Sequence, residues 1–184
     1  MGKFIVCDGM DRCGKDTLIK GLRKLMTNDK ILVHHSSSPP KGVDQVEWSK
    51  SYYSNILGLS CKLCGKYDWD IIANRCHIGE NVYGPIFRNT DSEFIWEIEE
   101  FSLGTFNPES WLILLVDNGE SVIERDDGLC NEKTVEDFNT VRAGFIESFN
   151  RSGFKNKIFI NISKDGWPDP QKIYETIFGT PEIN

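Results

Sequence analysis

A chain of 184 residues with 39% hydrophobic and 11% aromatic content can bury one sizeable core, and no internal repeat, low-complexity tract or linker divides it, so a single domain over 1–184 is expected. Its formal net charge of −7 argues against gripping nucleic acid by broad phosphate neutralisation, yet leaves room for a local cationic pocket around a small phosphorylated ligand. No apolar run is long enough to cross a bilayer and no charged, apolar leader precedes the first motif, so a cytoplasmic protein with six reduced cysteines is expected.

In chain order, "KFIVC" at 3–7 is rich in β-branched and aromatic residues and runs into a glycine loop. After the loop, Leu18, Leu22, Leu25 and Met26 recur at helical spacing. "KILVHHS", Lys30 to Ser36, reads as a second, buried strand stopped by "SSPPKG". From Val43 the positions Trp48, Tyr52, Ile56, Leu59 and Leu63 predict a long helix ending near Gly65. "YDWDIIAN", then Ser110 to Asp117, then Lys157 to Ser163 are the third, fourth and fifth strands. Helical patterns fill the gaps, notably the one carrying Val135, Phe138, Val141, Phe145 and Phe149, and "DPQKIYETIF" near the end. This alternation predicts an α/β fold: a five-stranded parallel sheet with helices on both faces and ligands at the carboxyl ends of the strands.

Gly9 and Gly14 frame four residues and are followed by Lys15, in the pattern G-x-x-x-x-G-K. Backbone N–H groups of such a loop surround phosphate oxygens, the lysine reaches the outer phosphates, and the following helix turns its positive end to the anion. The strand before and the helix after supply the context this reading needs. Gly9, Met10, Asp11, Cys13, Gly14, Asp16 and Thr17 are therefore candidate ATP-binding residues. Asp16 stands where a serine or threonine hydroxyl usually meets Mg²⁺; a carboxylate is also a hard oxygen ligand, so Asp16 is the candidate metal residue. Its alternative is a carboxylate that merely favours the first helical turn.

"GMDRCGKDT" resembles the phosphate loop of thymidylate kinases, and the Asp-Arg pair is its specific part. The resemblance implies a P-loop kinase fold, ATP and Mg²⁺ as cofactors, Asp11 on the acceptor's sugar hydroxyl, and Arg12 stabilising the transferring phosphoryl group beside Lys15. A planar guanidinium suits charge spread over equatorial oxygens. A second similarity lies at 73–88, where Asn74 and Arg75 match the family's Asp-Arg pair with one change; it implies Arg75 as a third catalytic residue that also binds the acceptor phosphate. Asp16 is then a candidate to compensate for the carboxylate missing at Asn74. Tyr83, Phe87 and Arg88 follow in a short segment broken by Gly84-Pro85; Tyr83 and Arg88 are candidates for the acceptor's base and phosphate, and core packing is equally open for the two aromatics. A third similarity, "VEDFNTVRAGFIESF", resembles the helix after the family's lid, which places the lid at about 124–134, with Arg125 and Lys133 as residues it could contribute.

The sequence departs from the family after the second strand, where "SSSPPKG" replaces Arg-Glu-Pro; Ser37, Ser38 and Lys41 are the substitute donors, and Lys41 is carried as a substrate-binding residue. Trp48, Tyr52 and Tyr53 are open between base stacking and core packing. The compact form is similar to phage-encoded members, which would put the protein in a host cytoplasm. Cys61-x-x-Cys64 with Cys76-His77 outlines a zinc site, but its halves flank a predicted strand and overlap the Asn-Arg pair, so structural zinc is not expected. The acidic positions Glu97, Glu99 and Glu100, and Asp126-Asp127, read as solvated faces.

The leading expectation is phosphorylation of a deoxynucleoside 5′-monophosphate, dTMP or a related pyrimidine, by ATP. The partner is a small nucleotide, without nucleic acid or membrane, and a homodimer is left open. The rivals are a deoxynucleoside kinase, for which Asp8 is the candidate base, a kinase of hydroxyls on DNA, and a nucleotide-binding protein without turnover.

Overall fold

The computed structural model describes residues 1–125 and 131–179; within the expected lid, residues 126–130, including Asp126 and Asp127, lie outside them. The elements are β1 (Lys3–Gly9), α1 (Lys15–Leu25), β2 (Ile31–His35), α2 (Gln45–Tyr67), β3 (Asp70–Asn74) and α3 (His77–Tyr83). A wide π-helical turn, Gly84–Arg88, leads to α4 (Phe94–Phe106), β4 (Glu109–Val116), α5 (Gly119–Ile123), α6 (Val135–Arg151), β5 (Asn156–Asn161), α7 (Ile162–Asp165) and α8 (Pro170–Phe178).

The five strands form one parallel sheet in the order β2-β3-β1-β4-β5. β1 is central, with Val6 level with Ala73 on one side and Leu112 on the other. Successive side chains of a strand point to opposite faces, so complete burial of β3 means that both faces of the sheet are covered. α1 packs on β1, β3 and α8; α2, α3, α4 and α6 make a second, contiguous layer touching β1, β3 and β4. Among the described residues, no helix is long and apolar enough to cross a membrane.

Two expectations change, and one boundary moves by two residues. The strand at 31–35 is an edge and not buried: with a neighbour on one side only, its Leu32 and Val33 are 39% and 43% exposed. Helix α2 runs past Gly65 to Tyr67, because this glycine is a contact and not a stop; a Cβ there would lie 2.2 Å from the Phe106 carbonyl oxygen of α4. Of the acidic positions on α4, Glu97 and Glu100 are solvated, but Glu99 is buried. Its Oε2 meets His77 Nε2 at 2.6 Å and accepts from Ser152 Oγ, while its Oε1 accepts from the Gly153 amide.

The residues of the outlined zinc site serve packing. Cys61, Cys64 and Cys76 lie in the core, Cys64 Sγ donates to the Lys3 carbonyl, and His77 is taken by Glu99. No group of three His, Cys, Asp or Glu is placed to hold a metal ion among the described residues.

Burial works against a charged His77, but the Cys76 sulfur and the Glu99 carboxylate outweigh it and push the imidazole up to about 10. Glu99 is held below the usual carboxylate range, since His77, Gly153 and Ser152 overcome its own burial. Replacing one partner strands the other's charge in the core, so Glu99→Gln should cost about 3–5 kcal/mol of stability, read as a fall in melting temperature. The folded pKa of His77 lies above its ordinary value of 6.5, so its contribution is complete below that pH and drains as pH climbs toward 10. Denaturant titrations of the wild type and His77→Gln should therefore converge across this window.

Candidate functional site

All parallel strands end at one edge, and the candidate residues gather there. The Asp8 carboxylate, fully buried at the end of β1, joins its parts: Oδ1 accepts from the Gly9 amide at 2.9 Å, and Oδ2 from the Cys76 and Gly79 amides at 3.0 and 3.1 Å. Burial pushes its pKa up while the three amides pull it back. The carboxylate thus pins the start of the phosphate loop to the turn between β3 and α3.

The loop's shape follows from its backbone. Gly9 has φ +132 and a Cβ there would sit 2.0 Å from the Leu115 carbonyl oxygen, so no side chain is tolerated. The Met10 amide donates to that same carbonyl at 3.1 Å. Met10 and Cys13 turn fully buried side chains to the core, leaving only their backbone to a ligand. Lys15 is buried at the first turn of α1, its Nζ donating to the Gly9 and Met10 carbonyls at 2.9 and 2.5 Å. Burial and the like charge of Arg75 hold its ammonium below the usual range, and Asp11 opposes them.

Arg12 and Arg75 both take positive φ, 61° in each, a left-handed conformation uncommon outside glycine and a mark of backbone held by its surroundings. Arg12 donates to the Arg125 carbonyl. The Arg75 amide donates to the Cys7 carbonyl at 2.9 Å, and its guanidinium pairs with Asp11, which also stands 4.0 Å from Lys15. The Asp16 carboxylate accepts from Asn74 Nδ2, and Asn74 Oδ1 is buried without a partner among the described residues.

Two cavities share His35 and Arg75 in their walls. One, about 310 Å³, is lined by Arg12, Gly14, Lys15, Asp16, Thr17 and Asn74. The other, about 300 Å³, is lined by Asp11, the serines at 36–38, Tyr53, Glu80, Tyr83 and Arg88. Tyr83 stacks on Phe87 and meets the edge of Phe145. Arg88 pairs with the buried Glu80 at 2.6 Å, whose other oxygen accepts from Ser49 Oγ. Tyr53 lines the cavity, whereas Tyr52 binds His34 and stacks on Trp48. Lys41 sits in an exposed turn before α2 and does not line either cavity.

Sequence reasoning missed Trp167, Asp117 and Glu80. Trp167, 57% exposed after β5, lays its indole over Gly14, and the Arg125 guanidinium stands 5.2 Å from its ring. Asp117, at the end of β4, positions Arg125 at 2.6 Å and accepts from the Ser163 amide. The one signal for Trp167 was a large aromatic in the turn-forming stretch "KDGWPDP" after a strand. Arg12 and Lys15 thus line the cavity on one side of Arg75, and Arg88 lines the one on the other.

Burial pushes the Cys13 thiol of the phosphate loop up to about 12. Only the thiolate is nucleophilic, so Cys13 should stay unmodified by iodoacetamide at pH 8 in native protein and react after denaturation; peptide mapping by mass spectrometry reads the difference.

No protein-family model matches the chain, and no curated protein matches it by sequence. Among solved structures it is similar to the YorR protein of Bacillus subtilis, determined in complex with phosphorylated GDP: TM-score 0.63 and 18% identity over 95% of this chain and 92% of that one. At this identity the shared property is the fold, and the chain has an α/β, P-loop kinase-like architecture with an all-parallel five-stranded sheet.

Proposed function

We propose that the protein is a deoxynucleoside monophosphate kinase, transferring the γ-phosphoryl group of ATP to the 5′-phosphate of dTMP or a related nucleotide. The observation that carries this reading is Arg75 standing in the wall between two cavities, one built on the phosphate loop and one lined by polar and aromatic groups. A guanidinium there touches donor and acceptor phosphates together, which is what phosphoryl transfer needs: alignment and neutralisation of charge. Lys15 and the loop amides hold the donor phosphates, Arg12 offsets charge on the transferring group, and Trp167 with Arg125 offers the donor's base a stacking surface. The bound nucleotide of the YorR structure supports a nucleotide in this cleft and widens the acceptors worth testing to purines.

Asp16 and Asn74 fit a magnesium ion. An exposed carboxylate and an amide oxygen without a partner among the described residues belong to side chains that line the cavity Lys15 lines, and both are hard donors. When bound, the ion neutralises charge on the outer phosphates of ATP.

A phosphate acceptor is already an anionic nucleophile and needs no base. The Asp8 carboxylate, the candidate base of a nucleoside kinase, is spent on three backbone amides, which supports the monophosphate reading over that rival.

Incubation with Mg·ATP and a panel of deoxynucleoside monophosphates, free deoxynucleosides and duplex DNA, with products followed by mass, should yield a nucleoside diphosphate. Product on nucleosides or DNA alone, or none at all, would sink the reading. Arg12→Ala should lower turnover by about 10³-fold with ATP affinity nearly intact. Trp167→Ala should do the reverse, weakening ATP binding by about 5- to 150-fold, the worth of one stacked base.

A further inference from the structure

The acceptor cavity holds a pair of opposite charges that phosphoryl transfer does not use. Glu80, on α3, is buried, and Arg88 ends the π-helical turn that follows; both line the cavity, and their charged atoms stand 2.6 Å apart. Three elements hold this pair in place. Ser49 of α2 donates to Glu80 Oε1 at 3.0 Å, α3 carries the carboxylate, and the wide turn brings the guanidinium back to it. The remaining carboxylate of the cavity, Asp11, is already answered by Arg75 and by Lys15 at 4.0 Å.

A carboxylate repels phosphate, so an acceptor lies with its phosphate at Arg75, in the wall shared with the donor cavity, and its base toward Glu80. Tyr53 and Tyr83 also line this cavity, but aromatic faces take any base and select none. The selection falls to the charged pair. Glu80 when ionised only accepts hydrogen bonds and has room for more than the one from Ser49, while Arg88 only donates. Guanine presents an acceptor, O6, beside two donors, N1–H and the 2-amino group; Arg88 meets the first and the Glu80 carboxylate takes both of the others. Thymine follows its single N–H with O2, which turns an acceptor on the carboxylate. Cytosine and adenine each offer one amino group with a ring-nitrogen acceptor beside it, so neither fills the carboxylate.

We infer that Glu80 and Arg88 read the base of the acceptor and select guanine, which makes dGMP the preferred acceptor over dTMP. The inference rests on the monophosphate kinase reading and names the base of its substrate.

The test is calorimetric binding of dGMP, dIMP, dTMP, dCMP and dAMP, with ATP titrated separately to report an intact fold. Hypoxanthine, the base of dIMP, is guanine without the 2-amino group. Wild-type protein should bind dGMP about tenfold or more tighter than dIMP, and about a hundredfold or more tighter than the other three, since each charge-assisted bond lost is worth about a factor of ten or more. In Glu80→Gln the preference for dGMP over dIMP should fall to about twofold or less, because an amide has one acceptor for two donors. That variant leaves Arg88 without a counter-charge, so the double variant Glu80→Gln, Arg88→Gln, which removes both charges, is measured beside it and should show the same fall. Wild type that favours dTMP, or that binds dGMP and dIMP alike, overturns the inference. So does a dGMP preference that survives in the variants, or an equal loss of affinity for dGMP and dIMP, which marks a structural role. Diphosphate formed from dTMP with no preference for guanine leaves the kinase reading standing without the inference; wild type that binds none of the five monophosphates removes both.

Discussion

One buried carboxylate holds the sheet and the site together. Asp8 ends β1, the central strand, and accepts amide hydrogens from its own loop and from the turn that follows β3. Buried away from solvent, the carboxylate depends on those three amides, with the Lys15 charge also favouring its ionised form, and the amides depend on it. The phosphate loop and the backbone that carries Arg75 are therefore one rigid object. Arg75 keeps a left-handed backbone there because its amide is also fixed to the Cys7 carbonyl.

The same economy governs charge. The chain is acidic overall, yet Lys15, Arg12, Arg75 and Arg88 line one cleft, with Arg125 beside Arg12 and Trp167 at its edge. Each of these cations rests on an anion or carbonyl inside the protein: Lys15 on loop carbonyls, Arg12 on the Arg125 carbonyl, Arg75 on Asp11, Arg88 on Glu80, Arg125 on Asp117. An anionic ligand thus enters competition with existing partners, and its affinity is the difference between two sets of charge-assisted bonds. That arrangement keeps the cations ordered without committing the cleft to any stray anion.

The fold was legible where the pattern is local. Glycines bracketing a loop, helical spacing and apolar runs place every strand and the phosphate loop, and an arginine leaving a strand at a ligand edge places Arg75. What the sequence hid is set by partners far along the chain. Nothing near Glu99 announces that His77 and Ser152 will close around it. An apolar run such as Ile31–His35 does not say whether one neighbour or two will flank it. Trp167 joins the cleft from a connection whose path only the tertiary structure defines, and Lys41 falls outside it because the turn before α2 carries it into solvent.

The position of β1 shapes how the molecule is born. Its partners are β3 and β4, and Lys3 finds its place beside Glu109, so a strand made before both of its neighbours is completed only when the later one arrives. Long-range parallel pairing is slow, since chain entropy is spent before contacts reward it. Until β4 leaves the ribosome, Phe4, Ile5 and Val6 form an apolar ribbon short of one neighbour. The phosphate loop is equally unfinished, because the Met10 amide has no Leu115 carbonyl to meet. A nascent chain therefore carries the glycine-bracketed loop long before that loop has its closing partner, and the arrival of β4 is what fixes its shape.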